Sequence, residues 1–326
     1  MKMASRDSLQ HVITRVNELL VAKYLKLTRT VRQSIVRLTR EMAKSEMNSH
    51  TMISVLLRLI IGGEMGPDNI RLCEAVLNIA IEFEPWLRKN QECLQLVVFR
   101  FLRLIQDHHG HQASHTLAKK EIQFVSNQLR TNFQAIMTIG RDLVRLLLSV
   151  VHIPEFHDFW RDLIFNPAQL QAGANFGGLK DLMKMRTSKK FIVQGVTFDM
   201  DMKLRFMLTS VRFGQQETHQ KWFQKTYLSS LTSVTLRADL IRFVCMCIIP
   251  TNEILQSDIL PRWALCGWIL QQIPNHQAQS TSRLALIYDW LLFNDTRNNI
   301  MEIEPCILLM HHSRHFLVSF LFNCSF

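Results

Sequence analysis

Apolar side chains recur every three to four positions along most of this chain, and that period, rather than strict alternation, sets the fold class. Val12, Val16, Leu19 and Leu20 follow the i, i+4, i+7, i+8 rule after Asp7, a capping residue type, and predict a first helix to about Leu27. At ~100° per residue, Val31, Ile35, Leu38 and Met42 form one stripe of a second helix, Thr30–Lys44, while Arg29, Arg32, Arg37, Arg40 and Lys44 fan over its far side. Asn48 or Ser49 can cap a third helix that Gly62-Gly63 ends, and Pro67-Asp68 opens a fourth carrying Leu72, Val76, Leu77 and Ile81. Leu94–Asp107 reads as a nearly all-apolar helix closed by His108, His109 and Gly110. Two more helices fill Lys119–Val151 and meet near Thr138–Gly140; the second buries Leu143, Leu146, Leu147 and Val150.

Between residues 153 and 198 the pattern breaks. Pro154, Pro167, Gly173, Gly177 and Gly178 punctuate short apolar pieces, and Phe191–Val196 after Lys189-Lys190 reads as extended, so this stretch is expected to be a hinge or an elaborated loop region. Helical period returns at Met200–Val211, Lys221–Leu228, Val234–Ile248, Pro261–Gln271, Thr281–Phe293 and Ile300–His311. Roughly a dozen helices on short connections, with no convincing strand pair, predict an all-α protein built from stacked antiparallel helical hairpins, a HEAT/armadillo-like α-solenoid. No repeat signature is legible, and a closed irregular bundle satisfies the same pattern.

Composition narrows the classes further. Of 326 residues, 48% are apolar and 20% charged, which is globular rather than disordered composition, and 11 Gly with 8 Pro are too few for a turn-rich β-sandwich. The longest apolar runs, Ile53–Ile61 and Leu143–Val151, are short and carry Arg58 and Arg145, so no membrane span is expected. Met1–Leu20 has neither an uninterrupted apolar core nor a small-residue cleavage site, so no secretory leader is expected. Seven Cys, an odd number without C-x-x-C, fit a reducing compartment, cytosol or nucleus.

The net charge of +11 is concentrated: residues 1–50 hold 10 basic and 4 acidic side chains, residues 181–230 hold 9 and 4, and the remainder is balanced. Such a field attracts phosphate-rich or acidic partners, yet a solvated helix face has the same appearance, and charge alone does not separate the two. Lys184, Arg186, Lys189 and Lys190 and the Arg29–Lys44 face are the candidate surfaces for phosphate or for a partner. Trp222, Phe223 and Tyr227 among Lys221 and Lys225 can stack bases, anchor a peptide or pack in a core, core packing being the default at helical spacing. Trp263 and Trp268, five apart, point to different sides of one helix, so one can pack in the core while the other faces a partner; their spacing does not say which, and Trp263 is carried as a surface candidate.

Catalytic chemistry finds few parts. Asp107, His108, His109, His111 and His115 crowd a helix end, and His311, His312 and His315 lie near the carboxyl end, but neither cluster has zinc-ligand spacing, and histidines there can instead meet the last helix carbonyls. Cys245 and Cys247 diverge by ~200° on a helix and are expected to pack. Without a phosphate loop, a dinucleotide fingerprint or a nucleophile elbow, the chain is expected to be no enzyme and to need no cofactor.

Several strings point to one family. AKYLKL (22–27), FLRLIQDHHG (101–110), IGRDLVRLL (139–147), IPEF (153–156), RTSKKF (186–191), VRFGQQ (211–216), KWFQKTYLS (221–229), LRADLIRF (236–243), PTNEILQSDILPRWALCGWIL (250–270), LALIYDWLLF (284–293) and NIMEIEPCILLMHHS (299–313) occur in order over almost the whole chain. In these the chain resembles the Integrator complex subunit 3 family, whose members also form the SOSS-A component of the SOSS single-strand DNA sensor complex.

The resemblance implies an all-α amino-terminal scaffold. It gathers an OB-fold single-strand DNA-binding protein and the small third SOSS component, SOSS-C, for DNA damage response and double-strand break repair by homologous recombination. Within Integrator it implies a part in RNA polymerase II transcript processing, small nuclear RNAs included, beside other Integrator subunits. Nucleic acid would then be met mainly through the OB-fold partner, in the nucleus and also the cytoplasm; the alternative is a helical-repeat protein binding single-stranded nucleic acid through its own basic surfaces. Family members carry further helices before the segment that begins here near Met3 and a second helical domain after it, and the family-like sequence ends near Ser313. Residues 1–314 are therefore expected to be the helical scaffold domain, with the irregular stretch at 153–198, and 315–326 an atypical apolar tail.

Overall fold

The computed structural model describes residues 11, 13–16, 18, 20, 27–44, 49–173, 175–229, 234–271, 276–288 and 308. Among these the regular backbone is helical throughout, apart from one isolated antiparallel bridge between Arg212 and Ile259. The class is all-α, consistent with a helical solenoid. The first predicted helix is described only in part, and the Ile300–His311 helix, save for Leu308, and the 315–326 tail lie outside the described residues. The described parts of residues 1–60 and 65–194 form one compact unit, and those of 61–64 and 195–326 form a second.

The first unit contains α1 (Arg29–Lys44), α2 (Ser49–Leu59), α3 (Pro67–Glu82), α4 (Glu84–Lys89), α5 (Gln91–His108), α6 (His115–Thr131), α7 (Phe133–Ile136), α8 (Arg141–Ser149), α9 (His157–Phe165), α10 (Leu179–Lys184) and α11 (Lys189–Val193). Pro67 stands in the first turn of α3, where its missing N–H would have no helical partner. Helix α5 is the centre, packing against α2, α4, α6, α7 and α8. A helix apolar on all sides is stable only when surrounded. Val97, Phe101, Leu102, Leu104 and Ile105 are all buried there, each contributing about 1.5–3 kcal/mol. Three of the polar side chains carried inward with them each donate to an acceptor: Arg100 Nη2 to the Ile60 carbonyl (2.6 Å), Gln95 Nε2 to the Ala135 carbonyl (3.1 Å), and Arg103 Nη1 to Asp107 Oδ2 (2.7 Å).

Two expectations are corrected in this unit. On α1, Val31 is exposed and burial falls on Thr39, Met42 and Ala43, because the start of α1 frames an open cleft with α3 and only its later turns enter the core. Phe191–Val196 is not extended: residues up to Val193 belong to α11, whose turns bury the adjacent Phe191 and Ile192, and a turn follows.

The second unit contains α12 (Phe198–Ser210), α13 (Glu217–Tyr227), α14 (Val234–Cys247), α15 (Asn252–Leu255), α16 (Arg262–Gln271) and α17 (His276–Leu286). Threonine hydroxyls cap two of these starts: Thr197 Oγ1 accepts from Met200 N (3.3 Å) and Thr251 Oγ1 from Ile254 N (3.4 Å). Helix α14 is the core element, packed against α16 and α17. Its Cys245 is buried and Cys247 half-buried, and Arg262 Nη1 donates to the carbonyls of Cys245 (3.1 Å) and Ile248 (3.0 Å) where α14 ends. The loops after α12 and before α16 are pinned by Phe213 N to Asp258 O (2.7 Å) and Leu260 N to Val211 O (2.8 Å).

Candidate functional site

The basic faces do not present a uniform field. On α1, Arg40 pairs with Glu82 (2.7 Å) and Lys44 with Glu41 (2.9 Å), while Arg37 is exposed. Arg29 and Arg32 instead line a cleft of about 310 Å³ between α1 and α3 with Val36, Asp68, Arg71 and Leu72. The Arg71 hydrogen bond, aided by the charges of Arg32 and Arg29, holds the Asp68 carboxyl below its ordinary range. Three guanidinium groups face two carboxylates there, Asp68 and Glu74, and Glu74 is also bound by Lys120 (2.8 Å), so the cleft keeps a small positive excess.

In the second basic segment, Lys184 faces Asp181 (3.9 Å) and Lys190 binds Glu92 (3.0 Å) while lying 5.2 Å from the Phe191 ring centre. Arg186 and Lys189 are exposed. The segment between them is structural. Thr187 is buried, its hydroxyl donates to the Ile139 carbonyl (2.8 Å) and accepts from Asp142 N (3.1 Å), and Arg141 N donates to the Met185 carbonyl (2.9 Å). Gly140, at φ +79°, lies where a Cβ would stand 2.6 Å from that same carbonyl oxygen. Residues 185–187 thus clamp the start of α8. Thr187→Val is expected to lower stability by about 2 kcal/mol, because it keeps the shape but leaves a buried carbonyl and a buried N–H without their partner. A urea midpoint within error of the parent would refute the clamp.

The histidine cluster is taken up by pairings rather than convergence on a point. Asp107 binds Arg103, His108 Nδ1 sits 2.9 Å from both Glu121 carboxylate oxygens, and His109 meets His152 edge to face. Among the described residues no group of three His, Cys, Asp or Glu could hold a metal ion. Burial pushes the Cys93 thiol up to about 12 and Cys73 well above its ordinary value, which keeps both as packed, unreactive groups.

The second unit carries two surface depressions. One, about 350 Å³, has Phe213, Ile249, Pro250 and Ile254 on its walls, and Trp263 meets Phe213 there with ring centres 5.8 Å apart. The other, about 240 Å³, lies between α12 and α13 and is lined by Lys203, Phe206, Met207, Thr218, His219 and Trp222. The aromatic stretch predicted as core divides here: Phe223 and Tyr227 are buried, with Tyr227 donating to Asp199, whereas Trp222 is 43% exposed. Trp268 is half-buried and meets Phe223 edge to face, so the two tryptophans of α16 do serve different sides.

The profile of the Integrator complex subunit 3 N-terminal family matches residues 1–320. The chain belongs to that family. It is similar to Integrator complex subunit 3 of Mus musculus (46% identical over 312 residues) and of Danio rerio (43% over 312), covering 95% of this chain and 30% of each relative. It is also 42% identical over 312 residues to the Integrator complex subunit 3 homolog of Drosophila yakuba, covering 95% of this chain and 29% of that protein. The chain therefore spans about 30% of the length of these curated relatives.

Within this member of the Integrator subunit 3 N-terminal family, several of the family-like strings fall on packing devices rather than open surface. RTSKKF holds the Thr187 clamp, and the long string 250–270 holds the buried Arg262 beside the half-buried Trp263. Lys203, Phe206 and Phe213 do not stand out in the sequence, although Lys203 and Phe206 are three apart on one helix face, the spacing that brings side chains together.

Proposed function

We propose that this chain is a non-enzymatic scaffold segment of Integrator and of the SOSS single-strand DNA sensor complex. In this reading its helix faces hold an OB-fold single-strand DNA-binding protein and the small SOSS-C component. The roles that follow are DNA damage response, double-strand break repair by homologous recombination and RNA polymerase II transcript processing, in the nucleus and also the cytoplasm. The observation that carries the reading is family membership over residues 1–320, and the depression walled by Phe213 and the half-buried Trp263 is its partner-facing candidate, since aromatic anchors mark interfaces. The alternative, nucleic acid bound through the Arg29–Lys44 face and residues 184–190, draws less support because Arg40, Lys44, Lys184 and Lys190 each face a carboxylate.

Co-elution of the purified chain with the OB-fold protein on a sizing column is the expected result, without any oligonucleotide present. Separate elution of the two at micromolar concentration would refute scaffolding by this segment, and co-elution only with oligonucleotide would move nucleic-acid bridging ahead of it.

A further inference from the structure

We propose that the cleft between α12 and α13 is a base-stacking site through which this chain itself binds single-stranded nucleic acid, with Trp222 and Phe206 as the stacking rings and Lys203 and Lys225 as phosphate partners. The proposal does not depend on assembly with an OB-fold protein. Thr218, His219, Trp222 and Lys225 share one face of α13, while Lys203, Phe206 and Met207 share one face of α12, because positions three and four apart are neighbours on a helix. Two large rings stand in water there: Phe206 is 44% and Trp222 43% exposed. The Lys203 ammonium lies 4.8 Å from the centre of the Trp222 ring, and His219 meets Phe206 edge to face at 5.3 Å.

Charge and size select the ligand. The neighbouring ions are already matched, Arg205 by Asp201 and Lys221 by Glu217, and Asp199 accepts from Tyr227, which leaves Lys203 and Lys225 as cations with no carboxylate against them among the described residues. Cationic groups interleaved with exposed rings are what an unpaired strand requires, since every base offers a π-face and every nucleotide a phosphate. At about 240 Å³ the cleft is smaller than the ~300–1,000 Å³ typical of small-molecule pockets, so it suits one planar group on a ligand that otherwise runs over the surface. A peptide that binds as an added strand needs a main-chain edge, and the walls here are helices whose main-chain groups bond within the helix. When a base enters, it takes the ring face that the Lys203 ammonium covers and leaves that ammonium free to meet the adjoining phosphate.

The test is fluorescence anisotropy of a labelled 20-nucleotide oligothymidylate with the full chain alone, from low to physiological salt. Binding that weakens as salt rises is expected, with about a ten- to hundred-fold loss for Trp222→Ala, the size of one lost stacking contact. Trp222→Phe should retain most of the affinity, Lys203→Ala should flatten the salt slope, and Phe165→Ala, which removes a 75% exposed ring from the first unit, should change nothing. Circular dichroism melts confirm that each variant is folded. No binding at low salt overturns the proposal. So does equal affinity of the parent and folded Trp222→Ala, or displacement by polyglutamate as effective as by unlabelled oligothymidylate, which would mean that charge alone is read.

Discussion

Replacing Arg262 with Ala is expected to lower the unfolding free energy by on the order of 3 kcal/mol, a larger effect than at any of the exposed arginines. Three contributions lead there. The side chain is almost fully buried, so its removal opens a cavity in the core. One nitrogen, Nη1, donates to two carbonyls, those of Cys245 and Ile248, which belong to the last turn of α14 and to the residue beyond it, where no helical N–H remains to serve them. Charge-assisted bonds to such carbonyls also match the negative end of the helix dipole. Arg262→Met restores most of the volume without the donor and is expected to recover the cavity part only, leaving about 1.5–3 kcal/mol unrecovered. Arg262→Lys, which keeps a charged donor but as a compact point charge, should fall between the Met variant and the parent. Urea denaturation followed by circular dichroism separates these values; an Ala variant within about 1 kcal/mol of the parent would mean that the α14 carbonyls are served by something else.

That arginine also shows where sequence reading stops. The helical class, the Pro67 start of α3 and the largely apolar α5 follow from period and from residue types whose backbone limits are local. Nothing local in the sequence marks Arg262 as a buried donor, and only the return of α16 to the end of α14 turns it inward. Thr187 is hidden for the same reason: its partners Ile139 and Asp142 lie 48 and 45 residues away, a separation that no window of helical period spans. Among candidate site residues, Trp222 is legible as an aromatic among lysines, but its exposure depends on which face α13 turns to the core, and Phe223 and Tyr227 compete for that place. The α1 stripe misplaces its burial because a helix at the margin of a unit buries only the turns that its neighbours reach, so Val31 keeps its place in the period and still meets water.

A second large effect is expected at the buried pair His108 and Glu121. His108→Leu should cost about 3–5 kcal/mol at neutral pH, since it leaves a carboxylate with no exposure and without the imidazole N–H that both its oxygens share at 2.9 Å. The double variant His108→Leu with Glu121→Leu should recover to within about 1 kcal/mol of the parent, because an apolar pair of similar volume needs no solvation. The pH dependence distinguishes charge from packing. Burial pushes the Glu121 carboxyl above its ordinary 4.5, helped by the charge of Asp107 and opposed by the His108 bond. A carboxyl whose folded value is raised binds more protons folded than unfolded, so its contribution to stability is full below about 4.5 and is lost as the pH rises through the folded value. Removing His108 takes away the opposing bond and raises that value further. The cost of His108→Leu should therefore shrink as the pH is lowered towards 4.5, where the orphaned carboxyl takes up a proton, while the double variant shows no such trend. Equal costs at about pH 5 and about pH 8, with a double variant as unstable as the sum of the two singles, would mean that the pair acts through shape alone and that α5 and α6 are joined there by packing.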